Sequence, residues 1–284
     1  MKFTKMQGCG NDYVYVDCTQ DNLPDAGALA VKLSDRHFGI GSDGLILIKK
    51  GRTADFEMEM YNADGSRSQM CGNGIRCVAK FVFDKGLTGK RDFTIESMGA
   101  VKYISITSGN PGDKVCCVRV DMGKPILQAA KIPVKLNTTD KVIMHPLNID
   151  SNEYKITCVS MGNPHAVVFI DRLPAEFPVC ELGPHFENNA FFPERTNTEF
   201  AFVKDRQTIY MRVWERGTGE TLACGTGTCA TVVAAILNGL VDADKKITVH
   251  LVGGDLEIEW SGREEDSVFM TGPATTVFTG EIDL

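Results

Sequence analysis

The sequence predicts an α+β protein of two pseudo-symmetric β-rich domains, each a mostly antiparallel curled sheet or barrel around one central helix. Three observations predict it. Met70-Cys71-Gly72-Asn73-Gly74 is echoed by Ala223-Cys224-Gly225-Thr226-Gly227, and the two cysteines stand 153 residues apart (224 − 71). At the same spacing, Phe56, Met58 and Met60 alternate with polar residues, as Ile209, Met211 and Val213 do later. Each cysteine then opens a helical apolar pattern that runs into hairpin-like strands. A repeat this long is a duplicated domain, not a solenoid array.

The bulk composition narrows the function classes. The 284 residues carry a net charge of −7, which argues against a nucleic-acid footprint. The opening Met1-Lys2-Phe3-Thr4-Lys5 has no apolar core of a signal peptide, so a cytoplasmic protein is expected. The longest uncharged stretch, Thr221 to Val241, is broken by glycines and threonines and reads as a buried helix, not a membrane span. Ten cysteines in a long chain of this kind are expected to be free thiols in a reducing compartment. Cys116, Cys117, Cys158 and Cys180 read as small buried hydrophobes. No Cys-x-x-Cys pair or spaced Cys/His quartet points to a metal, so none is expected.

The elements follow in order. Tyr13 to Val16 reads as a strand, and Asp25 to Ser34 as a helix with Leu29, Ala30 and Leu33 on one face. Gly39-Ile40-Gly41-Ser42-Asp43-Gly44 has the glycine spacing of a dinucleotide loop, but it leads into the strand Leu45–Ile48, so it reads as a turn. After the strand ending at Tyr61, the loop Asn62-Ala63-Asp64-Gly65-Ser66 delivers Cys71. The helix from Asn73 to about Lys85 carries Ile75, Val78, Ala79 and Val82 at helical spacing, and Gly86 is its natural stop. Its counterpart, Thr226 to Asn238, has no charged residue and must be enclosed. The hairpins Phe93–Ile106 and Ile247–Trp260 follow. Domain boundaries are expected at 1–122 with 271–284, and at 123–270, the last strand from Thr275 to Ile282 returning to the first domain. Asp171 to Arg195, with four prolines, reads as a long surface loop. Asn137-Thr138-Thr139 fits a glycosylation sequon that has no role without export.

The chemistry concentrates at the two cysteines. The first N–H groups of a helix lack internal partners, and the macrodipole places positive potential there. A thiol at that position is expected to have a lowered pKa, and the glycines let an anion approach bare amides. Two such termini facing one cleft would put a thiol on each side of an anion site. That arrangement suits inversion of a carbon α to a carboxylate, which needs a base on one face and an acid on the other, with the developing charge held by the amides.

At these residues the sequence resembles the diaminopimelate epimerase family. The resemblance is carried by Met70–Gly74, Ser160-Met161-Gly162-Asn163-Pro164-His165, Glu215–Thr221 with Ala223–Gly227, Lys5-Met6 with Gly10-Asn11-Asp12, Tyr61–Gly65 and Met270–Ala274, in order along nearly the whole chain. It implies a cofactor-free isomerase interconverting LL- and meso-diaminopimelate, for lysine and peptidoglycan synthesis, with Cys71 and Cys224 as the two bases. By the family pattern the amides of Gly72, Asn73, Gly225 and Thr226 hold the reacting carboxylate. Asn62, Asn163, Asn197, Glu215 and Arg216 correspond to residues on the distal amino-carboxylate, and Asn11 lines the site. His165 and Glu215 correspond to polar neighbours of the thiols. The expected partner is this small-molecule substrate, with no nucleic acid or membrane, and a homodimer is admissible.

Some family members carry glutamine where this chain has Gly44, so that side chain's contact is absent here or supplied elsewhere. The nearest rival is a proline or hydroxyproline racemase of the same fold, in which a histidine stands in place of Asn73 and no distal clamp is needed. A different class, a binding protein with a Cys71–Cys224 redox switch, predicts no turnover.

Overall fold

The computed structural model describes residues 1–68, 71–136 and 140–284. Met70 of the first cysteine motif and the sequon Asn137-Thr138-Thr139 lie outside the described residues. Two compact units divide the chain, Met1–Asp121 with Thr271–Leu284, and Met122–Met270.

The first unit runs β1 (Lys2–Gly8), β2 (Asn11–Asp17), α1 (Ala26–Ser34), β3 (Gly44–Lys50), β4 (Phe56–Asn62), β5 (Arg67–Ser68), α2 (Gly72–Asp84), β6 (Asp92–Ser97), β7 (Ala100–Ser108) and β8 (Val115–Gly123). The second runs β9 (His145–Ile149), β10 (Asn152–Ser160), β11 (Pro164–Phe169), α3 (Val179–Glu187), β12 (Asn197–Asp205), β13 (Thr208–Glu215), β14 (Gly219–Thr221), α4 (Gly225–Leu237), β15 (Lys246–Leu251) and β16 (Gly254–Glu259), and β17 (Val268–Glu281) ends the chain.

In the first unit β1 pairs β2 antiparallel, β2 pairs β3 parallel, β3 pairs β4 antiparallel and β4 pairs β6 parallel. The antiparallel β6–β7 and β7–β8 pairs continue the sheet, and β17 pairs both β8 and β1, which closes it. The second unit repeats the alternation from β10 to β16, with parallel pairs at β11–β12 and β13–β15. Parallel neighbours need a crossover, and each of the four is spanned by a helix: α1 and α2 in the first unit, α3 and α4 in the second.

The crossovers explain the burial. β2 and β3 are covered on both faces, so Val14, Val16, Leu45 and Leu47 pack under α1 with Ala30 and Leu33. The alternate residues turn to α2, where the Tyr15 hydroxyl donates to the Gly74 carbonyl at 3.4 Å. Double coverage is why Leu45–Ile48 is a continuous apolar run. Residues 72–83 of α2 are buried without exception, and fully burying a side chain such as Val78 contributes roughly 1.5–3 kcal/mol. Gly86 and Gly239, at φ 67° and 66°, follow α2 and α4 in the left-handed conformation that glycine alone adopts without strain.

The stretch from Asp171 to Arg195 corrects the expectation of a long surface loop. It contains α3, whose Val179 and Phe186 are buried with Phe177, Phe192 and Phe200 in the core of the second unit. The prolines misled because the helix forms around two of them. Pro178 is the N-cap, and Pro184 lies within a helix of only nine residues. Adding 153 to the bounds of α1 gives those of α3, so the repeat itself carried the signal. The thiols are a second correction. None of the ten cysteines is in a disulfide, but Cys180 is exposed, with its thiol donating to Glu220 Oε2 at 3.0 Å, and Cys117 is half-buried.

Candidate active site

In the first unit Cys71 is the N-cap of α2, with extended backbone (φ −130°, ψ 114°). Its Sγ accepts from the Gly74 amide at 3.2 Å, and the Cys71 carbonyl accepts from the Ile75 amide at 2.9 Å. The cap thus engages the third and fourth helical amides, and Gly72 and Asn73 supply the two ahead of them. The thiol donates to Asn11 Oδ1 at 3.1 Å.

Asn11 is itself held. Its Nδ2 donates to Asp43 Oδ2 at 2.7 Å, and the same oxygen accepts from the Asp12 amide at 3.0 Å. Arg36 Nη2 bridges Asp12 Oδ1 at 2.9 Å and Asp43 Oδ1 at 3.0 Å, and buried Lys5 pairs with Asp12. Burial pushes the Asp12 pKa up, but hydrogen bonds from Arg36 and Lys5 outweigh it and hold the carboxyl below its ordinary value. Fully buried Arg76 ties the first turn of α2 to Pro273, donating to the Gly72 and Pro273 carbonyls at 3.1 Å each. Asn62 is not brought to the thiol by any contact of its own. It closes its own turn, Nδ2 donating to Ser66 Oγ at 3.0 Å.

In the second unit Cys224 is the N-cap of α4 with nearly the same backbone (φ −118°, ψ 112°). Its Sγ accepts from the Gly227 amide at 3.3 Å and lies 3.4 Å from Thr226 Oγ1. Gly225 and Thr226 supply the first two helical amides. Buried His165 contacts Glu199 Oε1 through Nδ1 at 2.7 Å and Asn163 Oδ1 through Nε2 at 3.0 Å. Asn197 organises the distal loop, since its Nδ2 donates to the Pro164 carbonyl at 2.8 Å and its Oδ1 accepts from the Arg216 amide at 2.9 Å. The Arg216 guanidinium donates to the Glu194 carbonyl at 2.9 Å. Glu215 accepts from the Thr221 hydroxyl, and its charge bears on Cys224.

The electrostatics of this half differ from the expectation of a lowered thiol pKa. Burial, then the charges of Glu215 and Glu199, push the Cys224 thiol well above its ordinary value, against the opposing bonds from Thr226 and Gly227. Desolvation and two carboxylates outweigh the helix terminus. Burial likewise raises Glu215, with Thr221 and His165 opposing.

Four residues of these surroundings escaped the sequence reading. Asp43 and Arg76 were hidden in motifs read as a turn and a helix face. Glu187 holds the loop of Arg216, accepting from the Gly217 amide at 2.9 Å and Trp214 Nε1 at 2.7 Å. Glu199 stands in an apolar strand where the repeat has Ile46, and that mismatch could have found it. Gly44 has a physical reason in this chain. A Cβ there would lie 2.1 Å from the Tyr61 carbonyl oxygen and 2.8 Å from the Tyr13 ring. Among the described residues no group of three or more His, Cys, Asp and Glu could hold a metal ion, and no helix is long and apolar enough to cross a membrane.

The family model described as Diaminopimelate epimerase matches residues 3–128 and 157–277. The chain belongs to the diaminopimelate epimerase family. A diaminopimelate epimerase of Agathobacter rectalis is 54% identical over 290 residues, covering 100% of both chains. Those of Acetivibrio thermocellus and Methanococcus maripaludis are each 52% identical, covering 100% of this chain and 99% and 100% of theirs. Among solved structures, a PhzF-family phenazine biosynthesis protein of Bacillus anthracis aligns with TM-score 0.70 at 16% identity, over 100% of this chain and 99% of that one. A probable proline racemase of Agrobacterium radiobacter aligns with TM-score 0.69 at 12% identity, over 100% of this chain and 93% of that one. These two share the fold of the diaminopimelate epimerase family, as the sequence predicted. At such identities they say nothing of its substrate.

Proposed function

We propose that this chain is a cofactor-independent epimerase of LL- and meso-2,6-diaminopimelate, acting by a two-base mechanism with Cys71 and Cys224, in lysine and peptidoglycan precursor synthesis. The observation that carries the reading is the twice-built cap. Each sulfur accepts from the third-residue glycine amide of its helix, at 3.2 and 3.3 Å, at a helix terminus whose positive potential suits a carboxylate.

One sulfur, as thiolate, takes the α-proton, so a C–H bond breaks and an S–H bond forms. The charge left on carbon spreads into the carboxylate, which Gly72, Asn73, Gly225 and Thr226 hold through backbone N–H groups. The other thiol then gives its proton to the opposite face and is left as thiolate. At the distal centre Arg216 takes the carboxylate and Glu215 the ammonium, with Asn62, Asn163 and Asn197 completing the polar lining. Asn197 has one N–H and one lone pair to give beyond its present bonds. Asn11 steadies Cys71, and His165 and Glu215 serve the thiols.

On this reading each of the two units is an epimerase domain with one thiol, and one chain carries every group the reaction needs, whether or not it forms a homodimer. Ten cysteines outside any disulfide fit a cytoplasmic enzyme. The test is epimerisation of LL-diaminopimelate in deuterated water, stopped early. Two bases predict deuterium at the inverted carbon of the meso product and almost none in recovered substrate. Product that retains the original proton would mean a single base serves both faces and would overturn the mechanism.

A further inference from the structure

Glu199 is fully buried in β12, and its Oε2 has no hydrogen-bond partner among the described residues. Its Oε1 bonds His165 Nδ1 at 2.7 Å. The same oxygen packs on the first turn of α4, since a Cβ built at Gly227 would lie 2.5 Å from it and 3.3 Å from Cys224 Sγ. The repeat shows what packing alone would place there. In the first unit the residue 153 positions earlier is Ile46, whose Cδ1 lies 2.9 Å from a Cβ built at Gly74. A methyl group fills that space against α2, while a buried carboxylate fills it against α4. Burying a carboxylate with an unmatched oxygen is costly, so filling space is not a sufficient reason for it.

We propose that Glu199 is a positioning residue of the Cys224 half-site, locking the His165 ring with Nδ1 on its own carboxylate and Nε2 on Asn163, and setting the charge beneath the first turn of α4. The proposal rests on the reading of Cys224 as an acid–base group. Both ring nitrogens of His165 end on oxygen, so the ring cannot turn without breaking a bond. The groups facing Cys224 are Glu199 from β12, Glu215 from β13, Thr226 on its own helix and, through Glu215 and Glu199, His165 from β11. Glu199 is among the causes that hold the Cys224 thiol in its protonated form, after burial and Glu215. Such a thiol has a proton to deliver, which is the acid's part in the proposed reaction.

The test uses Glu199→Gln, which keeps an acceptor for His165 but removes the charge, and Glu199→Ile, which copies the first unit. The pH dependence of iodoacetamide alkylation is followed for each cysteine peptide by mass spectrometry, with Cys71 as the internal control. In Glu199→Gln the Cys224 curve is expected to move to lower pH by about one unit while the Cys71 curve stays. Turnover is expected to fall about 10- to 100-fold with KM nearly unchanged, as for other groups that orient a catalytic residue. Long-range proton–nitrogen NMR should show His165 in a single ring state in the native chain, and Glu199→Ile should lose it. An unmoved Cys224 curve in both folded variants, or an unchanged His165 signal in Glu199→Ile, would overturn the proposal. A native chain that fails to epimerise diaminopimelate while the Cys224 curve moves as expected would sink the functional reading and leave the placement of Glu199 standing.

Discussion

Asp43→Ala isolates the contacts that aim Asn11 at Cys71. The Asp43 carboxylate accepts from Asn11 Nδ2 at 2.7 Å and from the Asp12 amide at 3.0 Å, and it receives Arg36 at 3.0 Å. With side-chain exposures of 38% for Asp43 and 57% for Arg36, the ion pair contributes less than about 1 kcal/mol. The two hydrogen bonds to the carboxylate are stronger, about 1 kcal/mol each after discounting for solvent. A loss of about 2 kcal/mol should lower Tm by about 4–8 °C. The effect on turnover is separate. While Asp43 holds Nδ2, the amide can present only Oδ1 to the sulfur. Losing an orientational preference of about 1.4 kcal/mol lets the amide reverse and should cut kcat about tenfold, since that energy is a factor of ten. The assay is α-proton exchange on LL-diaminopimelate in deuterated water, with Tm from circular dichroism. A variant that loses thermal stability yet keeps native kcat would show that the amide's direction is irrelevant to Cys71.

Arg216→Ala should raise KM for diaminopimelate at least about 30-fold, because a buried charge-assisted contact is worth about 2–5 kcal/mol. An unchanged KM in steady-state kinetics would place the distal carboxylate elsewhere. Stability should fall in alkali. Burial raises Cys77 to about 11 and Cys116 to about 12, and pushes Cys158 and Cys224 well above the ordinary value of 9.0. Above pH 9 the unfolded chain loses thiol protons that the native chain keeps. Stability is therefore lost from about pH 9 upward through the folded values, by at most about 1.4 kcal/mol per pH unit for each thiol. A urea midpoint equal at pH 8 and pH 10.5 would refute this.

How much the sequence disclosed depended on whether the signal was local. The two central helices, their cysteine caps and their glycine stops were legible because apolar spacing, cap and stop agree within thirteen residues. The parallel pairs were not legible, since pairing is non-local, and α3 was lost with them because four prolines outvoted a short amphipathic pattern. At the site, the thiols and the amides beside them could be read from Cys-Gly-x-Gly alone. The groups that support them could not. Asp43 bonds Asn11, 32 positions away, and Glu199 bonds His165, 34 positions away. A carboxylate in a turn or a strand carries no mark of the partner it will meet.

The divergence between the two copies separates what the duplicated unit must keep from what it is free to change. The cap geometry is kept to within about 12° in φ and 2° in ψ, and both sulfurs bond the third-residue amide. By strand register Asn11 corresponds to Asn163, and each turns Oδ1 to a neighbouring polar group, Cys71 in one unit and His165 in the other. The changed positions lie on the inner strand faces and loop ends, where Tyr13, Ile46 and Asn62 of the first unit stand against His165, Glu199 and Glu215 of the second. All three second-unit residues carry an imidazole or a carboxylate, where the first unit has a phenol, an alkyl group and an amide. On the proposed reading, inverting one carbon needs like machinery on both of its faces, and the common caps would supply it. On the same reading, recognising one end of a substrate that has a second amino-carboxylate needs unlike groups, and the second unit is the one that carries them. On the proposed reading the duplicated cap is the chemical unit, and its divergence is the source of selectivity.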